Sequence, residues 1–132
     1  MKILFICKYN RFRSQIADAY FKKVNRNKNI KSDSAGIISG IPIAKSVKDI
    51  GKKLGFRIKG KPKGINEKLL KEADLIVIVA NDVPESLFGT KSKKLVKWNI
   101  PDVCQADLYN IEKTVKMIMK KVDELNKKLE KK

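Results

Sequence analysis

Histidine is absent from this sequence, and cysteine occurs only twice, as Cys7 and Cys104. The lack of histidine excludes a Ser-His-Asp triad, an H-E-x-x-H metalloprotease and any metal site with histidine ligands. Because the two cysteines lie far apart, no C-x-x-C pair is present to bind zinc or to run thioredoxin-type redox chemistry. Any catalysis must therefore use cysteine, carboxylate, hydroxyl, lysine or arginine side chains.

Long apolar runs and acidic residues are also scarce. No stretch reaches the length of a transmembrane helix, and the short apolar run after Lys2 falls below that of a signal peptide, so we expect a cytoplasmic protein with no membrane partner. Lys plus Arg number 31 against 14 Asp plus Glu, a net charge of +17, which favours anionic partners or substrates. Aromatic residues make up 7% and no RRM, KH or helix-turn-helix signature is visible, which disfavours nucleic acid as the partner.

The length of 132 residues, 42% of them hydrophobic, predicts a single domain over residues 1–132. Short apolar runs alternate with segments of helical periodicity, which predicts an α/β fold: a four-stranded parallel sheet with helices on both faces, in three layers. Strands are predicted at Lys2–Ile6, Ile30–Ser34, Leu75–Val79 and Lys94–Trp98, and helical segments at Ser14–Arg26, from Pro42 to just before Gly55, at Asn66–Glu72, at Pro84–Phe88 and from about Leu108 to the end.

The last helix has a regular apolar stripe with two interpretations. Its apolar residues are spaced 4, 3, 4, 3 and 4 apart: Ile111, Val115, Ile118, Val122, Leu125 and Leu129. This spacing fits either the seam of a coiled-coil dimer or a helix that packs on a sheet. Because the stripe covers fewer than three full heptads, we favour the core-facing helix.

The segment from Cys7 to Ser14 lies between the first predicted strand and the first predicted helix. In a doubly wound sheet, ligands bind at the carboxyl ends of the strands, and the backbone N–H groups of such a turn point into one concavity. The start of the helix adds partial positive charge, so the turn is a ready anion site. It lacks a G-K-[ST] sequence, which excludes a Walker-type nucleotide loop.

A cysteine at such a site is suited to act as a nucleophile, because the groups that bind phosphate also stabilise a thiolate. Arg13 is placed to fork onto two oxygens of a bound oxyanion, and Ser14 can donate its hydroxyl to the thiolate. Together they are suited to attack on phosphorus with loss of an alcohol or a phenol. Taken alone, Cys7 is better explained as a small buried residue at the end of a strand.

The eight residues C-K-Y-N-R-F-R-S resemble the phosphate loop of the low-molecular-weight protein-tyrosine phosphatases, whose superfamily includes thioredoxin-coupled arsenate reductases. The usual form of that loop is C-x-G-N-x-C-R-S, and this chain keeps Cys7, Asn10, Arg13 and Ser14. The resemblance covers nearly the whole chain, in the family's order: Ser34-Ala35-Gly36, Ala73-Asp74-Leu75-Ile76-Val77 and Ile100-Pro101-Asp102.

The resemblance implies a phosphomonoester hydrolase with no cofactor and no metal. Cys7 is then the nucleophile that becomes a phosphocysteine, Arg13 binds the phosphoryl group, and Ser14 stabilises the thiolate. Asp102 protonates the leaving oxygen and then activates the water that hydrolyses the intermediate. Judged without the resemblance, Asp102 is a turn or cap residue, and its neighbour Asp107 is a helix cap.

The resemblance also implies how the loop is built and what it binds. Asn10 holds the shape of the loop in contact with Ser34, and the expected substrate is a phosphotyrosine protein or a small aryl phosphate. Phosphate and vanadate are expected to inhibit by filling the loop. The residues expected to bind the phosphate are Lys8, Tyr9, Asn10, Arg11, Phe12 and Ser14.

Three positions depart from the family pattern. Tyr9 replaces a glycine, so it is either strained by a positive φ or free to form a wall of the pocket. Phe12 replaces a second loop cysteine, which removes a thiol that protects the nucleophile in some members. Val103 replaces a proline that an aromatic residue often follows, so the aryl-binding wall is missing or is supplied by Tyr9 or Trp98.

Two alternatives to the phosphatase remain open at this point. One is an arsenate reductase on the same scaffold, but that activity uses two further cysteines after the third strand, and Asn81–Gly89 contains none. The other is a basic protein that binds anions or nucleic acid without catalysis. Cys104 is two residues from Asp102 and is either a redox partner of Cys7 or an incidental thiol.

Overall fold

The computed structural model describes residues 1–89 and 94–131. The elements follow in the predicted order, with a 3₁₀ turn at Glu85–Phe88 between the third and fourth strands. They are β1 (Lys2–Cys7), α1 (Arg13–Val24), β2 (Lys31–Gly36), α2 (Lys45–Lys53), α3 (Glu67–Glu72), β3 (Leu75–Val79), β4 (Lys94–Trp98) and α4 (Leu108–Glu130).

All four strands are parallel, and their order across the sheet is β2-β1-β3-β4. Lys2 pairs with Lys31 and Cys7 with Gly36, so β1 and β2 end at the same edge of the sheet. The chain moves from β1 to β2 on one side and then returns to place β3 on the other side of β1. The carboxyl end of β1 therefore lies at the switch point, where doubly wound sheets bind ligands.

The sheet is covered on both faces, which confirms the predicted three-layer α/β fold. On one face, Phe5 and Val77 pack with the helices α1 and α4, for example against Phe21 and Ile118. On the other face, apolar side chains of β1 and β3 pack against α3 and the turn that precedes it: Leu4, Ile6 and Ile76 with Ile65, Leu69 and Leu70. Burial on both faces explains why β1 and β3 read as unbroken apolar runs.

The stripe of α4 faces the core, as we favoured over a coiled-coil seam. Ile111, Val115, Ile118 and Val122 are buried, and the helix packs mainly on α1. Lysines occupy much of its exposed side. None of the helices in the described part of the chain is both long enough and apolar enough to span a membrane.

Among the element boundaries that differ from the sequence predictions, those of α2, α1 and β2 differ by more than one residue. The prediction that Pro42 lies in the first turn of the second helix is wrong, because α2 begins at Lys45 after an extended Ala44 with φ −67° and ψ 146°. The extended backbone places Ile43 in the core instead. Gly55, just beyond the end of α2, has φ +94°, a conformation that glycine adopts without strain.

The other two differences are shifts along the chain. α1 begins one residue earlier than predicted and ends at Val24, because Asn25 is extended with ψ 125°. β2 runs to Gly36 rather than to Ser34, since its pairing with β1 continues to the end of that strand. Tertiary pairing, which the sequence does not display, thus sets the end of β2.

Candidate active site

The loop from Cys7 to Ser14 joins the carboxyl end of β1 to the first turn of α1. Cys7 is the last residue of β1 and is 2% exposed. Its Sγ lies 2.9 Å from the Oγ of Ser14, which is also buried. A hydroxyl at this distance can donate a hydrogen bond to a thiolate, and the N-terminal end of α1 adds a favourable dipole.

Asn10 organises the loop from a buried position with φ +52°, a left-handed conformation that asparagine tolerates better than most residues. Its Nδ2 donates to Ser14 Oγ at 2.7 Å and to Ser34 Oγ at 3.0 Å, so the expected contact with Ser34 is present. Its Oδ1 accepts from Gln15 Nε2 at 3.2 Å and from the backbone N–H of Lys63 at 2.9 Å. Both the amide nitrogen and the amide oxygen of Asn10 are thus hydrogen-bonded.

The loop packs closely against the end of β2. A Cβ on Gly36 would lie 2.7 Å from the backbone nitrogen of Asn10 and 2.8 Å from the carbonyl carbon of Tyr9, so no larger residue fits there. The backbone N–H of Ile38 also donates to the carbonyl of Lys8 at 2.9 Å. The glycine of Ser34-Ala35-Gly36 therefore has a steric role beside the loop.

The loop residues that depart from the family pattern are accommodated without a positive φ. The positive φ falls on Asn10 and not on Tyr9, which removes the strained alternative for that tyrosine. The Nζ of Lys8 lies 5.3 Å from the centroid of the Tyr9 ring, within range of a cation–π contact. Arg11 reaches across to the carbonyl of Pro42, and Phe12 is buried in the core.

Arg13 is 1% exposed, and its guanidinium is held by partners from two other segments. NH1 donates to the carbonyl of Ile100 at 2.9 Å, and NH2 lies 3.0 Å from Asp82 Oδ1. Asp102 is farther away, with its Oδ1 3.9 Å from Nε. These contacts fix the plane of the guanidinium at the base of the loop.

Asp82 is a site residue that the sequence reasoning missed. The available signal was its position just after β3, because the carboxyl ends of β1 and β3 are neighbours in the sheet. The contact between Arg13 and Asp82 could not be predicted from the sequence, because the two residues are 69 positions apart. Within residues 1–89 and 94–131, no group of three or more His, Cys, Asp or Glu is placed to hold a metal ion.

The segment with Asp102 follows β4 and is more exposed than the loop. The side chain of Asp102 is 43% exposed and accepts from the backbone N–H of Val103 at 3.0 Å. Cys104 is exposed and carries a free thiol. Asp107 caps α4 by accepting from Asn110, and the side-chain and backbone hydrogen bonds of Asn110 hold the pKa of that carboxyl below its ordinary value.

Trp98 belongs to the core rather than to the rim of the site. Its ring is buried and lies 6.1 Å from that of Phe5. The suggestion that Trp98 supplies an aryl-binding wall is therefore wrong, because the sheet needs its bulk on the face covered by α1 and α4. Tyr9, which is half-buried in the loop itself, remains as the aromatic residue beside Cys7.

Comparison with known proteins agrees with the family resemblance of the loop. The family model described as low molecular weight phosphotyrosine protein phosphatase matches residues 2–132. No curated protein sequence matches the chain. Solved structures that resemble it include phosphatases and arsenate reductases.

Three of those structures show the range. An arsenate reductase from Archaeoglobus fulgidus is 25% identical with a TM-score of 0.78, and the match covers 94% of this chain and 98% of that one. A low molecular weight protein tyrosine phosphatase from T. tengcongensis is 24% identical with a TM-score of 0.84, covering 97% and 99%. The YwlE arginine phosphatase from Geobacillus stearothermophilus is 17% identical with a TM-score of 0.86, covering 98% and 93%. With a family model that spans nearly every residue and a fold shared over the full length of these structures, the chain belongs to the low molecular weight phosphotyrosine protein phosphatase family.

Proposed function

We propose that the protein hydrolyses phosphate monoesters of the phosphotyrosine type through a phosphocysteine on Cys7. The observation that carries this proposal is the placement of the Cys7 thiol at the carboxyl end of β1, 2.9 Å from the Oγ of Ser14, the residue that follows the buried Arg13. A nucleophile, a donor to its anion and a fixed guanidinium fork are the groups that phosphoryl transfer requires.

In the first step, the Cys7 thiolate attacks phosphorus and forms an S–P bond while the bond from phosphorus to the alkoxy or aryloxy oxygen breaks. Arg13 and the backbone N–H groups of the loop stabilise the phosphoryl oxygens. The leaving oxygen takes a proton from Asp102, so the product leaves as a neutral alcohol or phenol.

In the second step, Asp102, now a carboxylate, accepts a proton from water as that water attacks phosphorus. The S–P bond breaks, phosphate is released, and the thiolate is restored with a hydrogen bond from Ser14. Asp102 suits both steps because it is partly exposed and lies on the same side of the sheet edge as Arg13, 3.9 Å from its Nε.

The loop from Lys8 to Ser14 supplies the binding surface for the phosphate, and Asn10 and Ser34 support its shape. Asn10 bonds to both Ser14 and Ser34, so a change in the support reaches the hydroxyl that contacts Cys7. The ring of Tyr9 forms one wall of the entrance. This wall favours substrates with a flat aromatic leaving group.

The test is hydrolysis of p-nitrophenyl phosphate by the purified protein without added metal. Cys7→Ser and Arg13→Ala are expected to lower kcat/KM by at least about 10³-fold, since one removes the nucleophile and the other the clamp on the transition state. Cys104→Ser is the matched control and should retain activity. Vanadate and phosphate should inhibit competitively. Full activity in Cys7→Ser would refute the mechanism.

Arsenate reduction is the second candidate, favoured by the similarity to the arsenate reductase from Archaeoglobus fulgidus and by the exposed thiol of Cys104 two residues from Asp102. Against it, the segment Asn81–Gly89 has no cysteine to resolve an oxidised Cys7. Incubation with arsenate and a thioredoxin system separates the two. Turnover that is lost in Cys104→Ser, with no hydrolysis of p-nitrophenyl phosphate, would favour the reductase.

A further inference from the structure

A cavity of about 620 Å³ lies behind the loop, between α1, the middle of β2 and the coil at residues 55–63. We call it the basic groove. None of residues 7–14 lines it, so it is distinct from the mouth of the candidate active site. Its lining includes six basic residues and two acidic ones: Lys22, Lys23, Arg57, Lys59, Lys61 and Lys63, with Asp18 and Asp33.

The two acidic residues are already neutralised by two of the six basic ones. Lys22 Nζ lies 3.0 Å from Asp18 Oδ2, and Lys63 Nζ lies 2.6 Å from Asp33 Oδ1. Burial raises the pKa of Asp33, but the hydrogen bonds from Lys63 and from the backbone of Ser34 outweigh it, and the net pKa lies below the ordinary value. The Asp33 carboxylate is therefore ionised near neutral pH, and each of the two carboxylates already has a lysine partner.

The other four basic side chains of the groove have no acidic partner in residues 1–89 and 94–131: Lys23, Arg57, Lys59 and Lys61. They come from the end of α1 and from the coil after α2, and they meet around one cavity. Like charges held together raise the free energy of the empty groove, and a bound anion would relieve that repulsion.

Two glycines line the groove beside flexible side chains. A Cβ on Gly55 would lie 2.7 Å from the Nζ of Lys23, and a Cβ on Gly60 would lie 3.0 Å from Oε1 of Gln15. The end of the Lys23 side chain therefore lies directly against the coil that forms the other wall of the groove.

We propose that the basic groove binds a small polyanion that carries several linked phosphate groups, such as a linear triphosphate. Four unpaired cations exceed what one phosphate monoanion can satisfy, and Arg57 can fork onto two oxygens while the lysines act as point charges. The volume is that of a typical small-molecule site. Phe56 in the lining is 5% exposed, so no aromatic face is presented to a nucleobase. The triphosphate itself is therefore the recognised group.

The groove lies directly behind the residues that support the loop. Gln15, Ser34 and Lys63 line it, and each is hydrogen-bonded to Asn10. A bound triphosphate would sit against this support, near the anion site of the loop but separated from it by Asn10. The experiment must therefore distinguish the two anion sites.

The test is isothermal titration of inorganic tripolyphosphate into four proteins: wild type, Arg13→Lys, Lys59→Glu/Lys61→Glu, and Lys120→Glu/Lys127→Glu. Lys120 and Lys127 are exposed on α4, on the face turned away from the core, and their reversal gives the same change in net charge. We expect the groove variant to raise Kd by about tenfold or more, because two charge-assisted contacts become repulsive. Arg13→Lys and the α4 control should change Kd by less than about threefold.

Three results would overturn the proposal: no binding to wild type, an equal loss in the α4 control, or a loss in Arg13→Lys as large as in the groove variant. The second would mean attraction by net charge alone, and the third would place the ligand in the loop. If Lys59→Glu/Lys61→Glu folds poorly, the milder variant Lys59→Ser/Lys61→Ser takes its place. It should raise Kd by roughly threefold to tenfold. Because Lys59 and Lys61 lie outside the catalytic loop, hydrolysis of p-nitrophenyl phosphate by these variants tests the proposed function separately.

The source of the triphosphate is tested by repeating the titration with ATP. Similar Kd values for ATP and tripolyphosphate are expected, since the groove presents no surface for the base. ATP that binds at least about tenfold more tightly, with the excess kept in the groove variant, would show a nucleoside site elsewhere and would contradict the assignment.

Discussion

The two halves of the candidate site are held in different ways. In the loop half, Cys7, Asn10, Arg13 and Ser14 are all buried. Short hydrogen bonds connect Cys7, Ser14 and Asn10, and Arg13 donates to the carbonyl of Ile100. In the other half, which carries the proposed general acid, the side chain of Asp102 is 43% exposed. Among the described residues it has a hydrogen bond only to its own neighbour Val103, besides the 3.9 Å approach to Arg13. We call the half around Cys7 the fixed half, because buried hydrogen bonds hold it. We call the half around Asp102 the loosely tied half, because it has few contacts.

The difference suits the tasks that we propose for the two halves. Donors that stabilise a developing phosphoryl charge must already point at it, because reorganising them during the reaction would cost free energy. A proton donor must follow the leaving group, whose size and position change with the substrate.

The largest effect on the fixed half should come from Asn10→Ala. This change removes the partner of four groups, including the backbone N–H of Lys63, and places alanine at φ +52°. We expect a loss of roughly 2–4 kcal/mol in the free energy of unfolding and a clear fall in kcat/KM. Urea denaturation and p-nitrophenyl phosphate hydrolysis measure the two.

Asn10→Gly is the matched control for the backbone, because glycine accepts a positive φ. Its free energy of unfolding should be about 1 kcal/mol higher than that of Asn10→Ala, and its activity should stay low. Alanine and glycine variants that are both as stable as wild type would show that the hydrogen bonds of Asn10 do not hold the loop.

On the loosely tied half, Asp102→Asn should change catalysis and not stability. We expect kcat to fall about 10²-fold with phenyl phosphate and about tenfold with p-nitrophenyl phosphate, because the poorer leaving group needs the proton more. The free energy of unfolding should stay within about 0.5 kcal/mol of wild type. Asp82→Asn is the control: it alters the partner of Arg13 and should slow both substrates alike. Equal losses with both substrates in Asp102→Asn would remove this aspartate from the acid role.

The smallest effect should come from Asp33→Asn, which weakens the support behind the loop. Asp33 binds Lys63, whose backbone N–H donates to Asn10. Because the folded-state pKa of Asp33 is below 3.8, its carboxylate stabilises the fold above that pH, and the benefit is lost as the pH falls through the folded value. Lys63 is about half exposed, so we expect a difference of about 0.5 kcal/mol at pH 7 that shrinks below pH 4. Denaturation at pH 7, 5 and 3 checks this, and a difference that grows on acidification would contradict it.

Much of the fold could be predicted from local pattern. The run from Leu75 to Val79 predicts β3 with its observed limits, because five consecutive residues of Leu, Ile and Val are typical of a strand buried on both faces. Asn66 caps α3 by accepting from the backbone N–H of Leu69, a role that asparagine favours. Pro42 misled the prediction, since proline favours a first helical turn but equally suits the extended segment that carries Ile43 into the core.

The order of residues along the chain determined the succession of strands and helices and the loop that carries the proposed nucleophile, because hydrophobic period, caps and the strand-to-helix turn at Cys7–Ser14 are local properties. Only the tertiary structure decided which distant groups meet: Asp82 beside Arg13, Lys63 and Gln15 on Asn10, and, apart from the loop, the basic side chains that gather around the basic groove. These contacts depend on strand order and on the path of the coil after α2. Hydrogen bonds and ion pairs act over a few ångströms, so residues tens of positions apart become partners only when the sheet brings them together.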